Sequence, residues 1–78
     1  MKETVNATVV GRRMVDLVTL RGLSSPYRTY ATFRFTDGTQ KEFEVPPRKM
    51  IHLREDQRGM LTYKKENFKK FVVESYEP

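Results

Sequence analysis

Strict alternation from Tyr27 to Phe35 constrains this chain more than any other feature. Ala31, Phe33 and Phe35 fall in one phase, and Arg28, Tyr30, Thr32 and Arg34 in the other. A period of two is that of a β-strand with one dry face. A second run, Thr39 to Val45, puts Phe43 and Val45 on one side and Gln40, Glu42 and Glu44 on the other, and Asp37-Gly38 between the runs is a hairpin signal. A two-residue Asp37-Gly38 loop would pair Phe33 with Glu42 and split the phenylalanines between two faces. A three-residue loop, Thr36-Asp37-Gly38 with Gly38 left-handed, pairs Phe33 with Lys41 and Ala31 with Phe43, so the aromatic faces coincide. That register also sets Arg34 and Arg28 diagonal to Glu42 and Glu44 on the wet face.

Other segments follow the same logic. Val5 to Val9 alternates like a strand, β-branched residues continue through Val10, and Gly11 after them implies a bulge or sharp bend. Residues 16–26 read as a long exposed connection, with Leu20 and Leu23 as its apolar tip. Pro46-Pro47 stops the third strand and suits the first turn of a helix. One or two helical turns over Arg48 to Leu53 would let Met50, Ile51 and Leu53 close an open end of the sheet. Glu55 to Gly59 reads as a turn, Met60 to Tyr63 as the fourth strand, Lys64 to Asn67 as a tight connection with Asn67 left-handed, and Phe68 to about Tyr76 as the fifth strand. The expectation for residues 1–78 is therefore one all-β domain. It is a small five-stranded, strongly bent antiparallel sheet or barrel, SH3-like or OB-like, with a short helical turn before strand four.

The order and spacing of several segments resemble a bacterial family of small all-β domains catalogued as a domain of unknown function. The segments are Ala7-Thr8-Val9-Val10-Gly11-Arg12-Arg13, Tyr30-Ala31-Thr32-Phe33 ahead of Asp37-Gly38-Thr39, Glu42-Phe43-Glu44-Val45, and Arg58-Gly59-Met60-Leu61-Thr62-Tyr63 ahead of Phe68. The resemblance implies a small β domain and supplies no activity, cofactor or binding residue. Relatives often carry Gly-Asp where this chain has Asp56-Gln57, and some follow a single membrane-spanning helix, where this chain opens on a polar stretch.

Composition narrows the chemistry. The 78 residues contain no cysteine and one histidine, His52, so disulfides and thiolate metal sites are ruled out and a histidine-based site has a single residue to build on. Glu42 and Glu44 share a face but sit opposite arginines and threonines, the setting of surface carboxylates rather than of an acid-base pair. Asp37-Gly38 and Arg21-Gly22 lack the lysine and helix of a phosphate-binding loop. The expectation is no enzyme, no cofactor, no metal and no small-molecule substrate. No segment has the length of a membrane span, so no membrane insertion by this segment is expected; the compartment stays open, with a soluble cytoplasmic domain as the default.

Fifteen Lys and Arg against ten Asp and Glu give a net charge of +5, inside the ordinary range of about 2–8 for a small domain. Two binding readings follow. The first is a protein- or peptide-interaction module using an exposed strand edge or the loop that carries Leu20 and Leu23. The alternative is single-stranded nucleic acid on a basic, aromatic-containing surface formed by Arg12, Arg13, Arg58, Lys64, Lys65, Lys69 and Lys70, with Tyr63 and Phe68 as rings for stacking. Those two rings also flank a turn that they can staple, and lysines at a hairpin tip also discourage edge-to-edge pairing.

Overall fold

A computed structural model describes residues 1–16 and 27–76. It contains the strands β1 (Glu3–Asp16), β2 (Tyr27–Phe35), β3 (Gln40–Glu44), β4 (Gln57–Lys64) and β5 (Asn67–Tyr76), with one helical turn, α1 (Pro47–Met50), between β3 and β4. The β2–β3 hairpin has the register that the alternation predicts, with Ala31 opposite Phe43 and Phe33 opposite Lys41. Its loop is closed by the Phe35 N–H donating to the Thr39 carbonyl at 2.8 Å. Gly38 is left-handed at φ 90°, and the Asp37 carboxylate accepts from the Thr39 N–H and hydroxyl at 2.9 and 2.6 Å.

Gly11 does not end the first strand. A bulge between Val9 and Gly11 bends it, and β1 then continues along β2 to Asp16, opposite Tyr27. Bent in this way, β1 serves two neighbours: Glu3 to Thr8 pair with β4, and Ala7 to Asp16 pair with β2. β5 also carries two register shifts against β4, the coiling expected of a strand wrapped around a narrow barrel. The order around the barrel is β1-β2-β3-β5-β4, returning to β1, and the β3–β5 contact is parallel. This is the Greek-key arrangement of an OB-type barrel, which decides between the two architectures that the sequence allowed.

Alternate positions of the strands fill the interior. Ala7, Val9, Ala31, Phe33, Phe43, Val45 and Leu61 are buried, and Phe35, Tyr63, Phe68 and Phe71 pack against them. Met50 and Leu53, three residues apart and so on one side of a helical turn, plug one end, whereas Ile51 points away and is 67% exposed. Three of the expected details are thus corrected. Ile51 does not close the barrel. β4 begins at Gln57 rather than Met60, because Gly59 is a strand residue at a close approach to β5 and not part of a turn. The left-handed residue of the β4–β5 turn is Lys65, at φ 55°, not Asn67.

The connection into β4 is held by a buried glutamine. Gln57 donates from Nε2 to the His52 carbonyl at 3.1 Å and accepts at Oε1 from the Arg54 N–H at 3.0 Å. The Asp56 N–H donates to the Val9 carbonyl at 2.8 Å, locking this turn onto the bulge of β1. Asp56 is left-handed at φ 73°, a conformation that glycine adopts without steric cost.

Candidate interaction surfaces

The outward face of β1, β2 and β3 is occupied by ion pairs. Arg13 on β1 reaches across β2 and donates to Glu42 on β3 through Nε and Nη2, at 2.7 and 2.8 Å, with its guanidinium 4.4 Å from the centre of the Tyr30 ring. Arg28 donates to Glu44 at 3.4 Å. The hydrogen bond from Arg13 holds the Glu42 carboxyl below its ordinary pKa and raises that of Arg13. A general acid needs the opposite shift. The two carboxylates also neutralise Arg13 and Arg28, which leaves less free charge on this face for a phosphate backbone.

The seven basic residues proposed for nucleic acid do not form one surface. Lys64 and Lys65 sit at the β4–β5 tip, and Lys70 lies nearby opposite Thr62. Arg58 is at the other end of β4, opposite Thr8 and Ser75, roughly 20 Å from the tip at about 3.3 Å per residue. Arg12 lines a separate cleft beside Met14, Met50 and Arg54, and Arg13 is the ion-paired residue just described. Lys69 is on β5, where its carbonyl accepts from the Lys49 ammonium at 2.8 Å. The intended stacking rings turn inward. Phe68 lies parallel to Phe33 at 6.1 Å, Tyr63 packs on Phe35 and Phe43 at 6.1 and 5.2 Å, and burial next to Glu3 raises the Tyr63 phenol above its ordinary pKa. Leu20 and Leu23 lie outside the described residues. His52 is exposed just after α1, and no group of three or more metal-ligating side chains occurs among the described residues.

A surface that sequence reasoning missed lies where the barrel closes. Among the described residues β3 and β5 share a single pair, Glu44 with Asn67. Beyond it, β5 runs on from Phe68 to Tyr76 with β4 on one side and, among the described residues, no strand on the other. The Cα atoms of α1 stay more than 8 Å from those of β5, and the Lys49 side chain spans the gap. The floor there is apolar, with Leu53, Phe68, Phe71 and Val73, and the rim carries Lys49, His52 and Lys70. Val72 and Val73 on β5 are 52% and 38% exposed. The apolar run Phe71-Val72-Val73 is the one signal in the sequence that pointed here, since alternation would have left one of the three polar.

The sequence matches no protein-family model and no curated protein. Two solved bacterial structures share the fold. A DUF2500 domain from Klebsiella pneumoniae superposes with a TM-score of 0.78 at 23% identity, over 94% of this chain and 97% of that one. A protein from Proteus penneri superposes with a TM-score of 0.82 at 16% identity, over 95% and 96%. No helix among the described residues is long and apolar enough to cross a membrane. In its fold this chain is thus similar to small all-β bacterial domains of unknown function, as the order of its sequence segments implied.

Proposed function

We propose that the chain is a non-enzymatic module that binds a protein partner through an extended peptide segment, added as a further strand along the outer edge of β5. The observation that carries this reading is the incomplete closure between β3 and β5. An added strand lies about 4.8 Å from its neighbour, and beyond Asn67 none of the described strands occupies that position on the outer side of β5. Main-chain hydrogen bonds supply affinity in this mode, and alternate side chains supply specificity. Exposed Val72 and Val73 lie on the strand concerned.

Selection from a library of random linear peptides, followed by amide chemical-shift mapping, tests the proposal. Selected peptides should perturb residues 68–75 of β5 and 49–53 around α1, and should slow hydrogen exchange along β5. Peptides that map to the β1-β2-β3 face instead, or a selection that yields none, would overturn it.

Nucleic-acid binding is the second reading, supported by Lys64, Lys65 and Lys70 at the β4–β5 tip. None of these has a carboxylate partner among the described residues. It requires affinity for mixed single-stranded oligonucleotides at about 50 mM salt that falls with a log-log slope of about 0.7 per contacted phosphate. The inward-facing rings leave this reading with charge alone.

A further inference from the structure

We infer that the segment received at the β5 edge is acidic, with apolar side chains at alternate positions; this deepens the strand-addition reading and rests on it. The gap has two chemistries that a single extended peptide satisfies in alternation. Side chains directed into it meet Leu53, Phe71 and Val73, and those directed to the rim meet Lys49 and Lys70. A strand presents its side chains to opposite sides with a period of two, so an apolar-acidic repeat fits both.

On the α1 side of the edge the charges are lopsided, whereas Glu42, Glu44 and Glu66 line the β3 side, so the acidic segment is placed beside α1. Lys49, Lys69 and Lys70 have no carboxylate partner among the described residues, and the Lys49 ammonium is placed on the Lys69 carbonyl, 5.8 Å from the centre of the Phe68 ring. Glu74 is the one carboxylate of β5. A peptide carboxylate offers Lys49 a charged acceptor in exchange for a neutral one, a stronger hydrogen bond. The same lysines disfavour a second copy of this chain as occupant, because pairing β5 with β5 would bring like charges together. They also attract nucleic acid, but the two rings on the floor of the gap, Phe68 and Phe71, are packed against Phe33 at 6.1 and 5.2 Å and only part-exposed, a poorer platform for a base than a ring standing free.

The test uses a fluorescein-labelled octapeptide alternating valine and glutamate, its analogue with lysine for glutamate, and an oligothymidine of similar length. In fluorescence anisotropy at low salt the glutamate peptide should bind at least about tenfold more tightly than the lysine peptide, an advantage that shrinks on raising salt to about 0.5 M. The Lys49→Glu/Lys70→Glu double variant should reverse the order, and Lys70→Ala should weaken the glutamate peptide alone, with unchanged far-ultraviolet circular dichroism in both. Equal binding of both peptides with shifts confined to β5 would overturn the acidic preference and leave strand addition standing. Absence of any peptide-induced shift along β5 would overturn both. Displacement of the glutamate peptide by oligothymidine, or concentration-dependent dimerisation lost in the double variant, would replace the acidic peptide by nucleic acid or by a second copy.

Discussion

A Cβ built on Gly59 would lie 1.9 Å from the Val72 carbonyl oxygen and 2.8 Å from its carbon, because the backbones of β4 and β5 approach closely there. Backbone, unlike the end of a flexible side chain, cannot step aside without breaking the ladder. Gly59→Ala should therefore cost about 3 kcal/mol or more, a fall in Tm of roughly 12–24 °C by calorimetry. Gly11 meets nothing nearer than 3.8 Å, so Gly11→Ala, at a bulge rather than a close approach, should change stability by less than about 1 kcal/mol. The sequence does not distinguish these two positions. A glycine marks turn, bulge and close approach alike, and the group that excludes a methyl at position 59 comes from a strand remote in sequence. Gln57 is a parallel case. Read as a turn residue, it is a buried amide holding His52 and Arg54, and Gln57→Leu should destabilise by about 2 kcal/mol in chemical denaturation, since it strands a partly buried N–H and carbonyl together.

The β2–β3 hairpin was legible down to its register because every constraint on it is local: two alternating runs, a left-handed glycine and an aspartate two residues before a threonine. The ion pairs upon it were legible in part. Arg28 meets Glu44 as the diagonal rule implies, but Glu42 is gripped by Arg13, whose strand joins the sheet on the far side of β2. No reading of a hairpin alone can find a residue that arrives from a third strand. This clamp gives β1-β2-β3 a defined response to pH. The Arg13 hydrogen bond depresses the folded-state pKa of Glu42, so the stabilisation is present above its unfolded value of about 4.3 and is lost as pH falls through the lower folded value. Asp37 behaves in the same sense, lowered by its hydrogen bonds from Thr39. Urea unfolding should show wild type more stable than Glu42→Gln at pH 7, with the difference vanishing near pH 2.5. A difference that persists at that pH would mean that Glu42 acts through packing rather than charge. Because both partners are exposed and salt-screened, the same gap should narrow at 1 M sodium chloride.

Closure of the barrel sets what the whole molecule can tolerate and where it can bind. The sequence shows the β2–β3 and β4–β5 hairpins but not the β1–β4 and β3–β5 neighbours, which join segments far apart in the chain, and so it left SH3-like and OB-like orders equally open. The order emerges from a long, bulged β1 that pairs with both β2 and β4 and a short β3 that leaves most of one edge of β5 uncovered. Phe33 sits at the centre of this arrangement, edge-on to Phe43 of β3 at 6.0 Å and in contact with Phe68 and Phe71 of β5. It therefore holds together from the inside the two strands that scarcely hydrogen-bond. Phe33→Ala should cost about 3–5 kcal/mol, comparable to the whole stability expected of so small a domain, and abolish a cooperative thermal transition. The milder Phe33→Leu should keep the fold but loosen the seam first. Hydrogen exchange should then accelerate at Phe68 to Val73 well before it does at Val5 to Val9 or Ala31, because β1 is paired on both sides and β2 along its whole length with β1, the one bulge aside. Uniform acceleration along all strands would show that the seam is no weaker than the rest of the barrel, and with it the physical basis for an added strand at β5 would go.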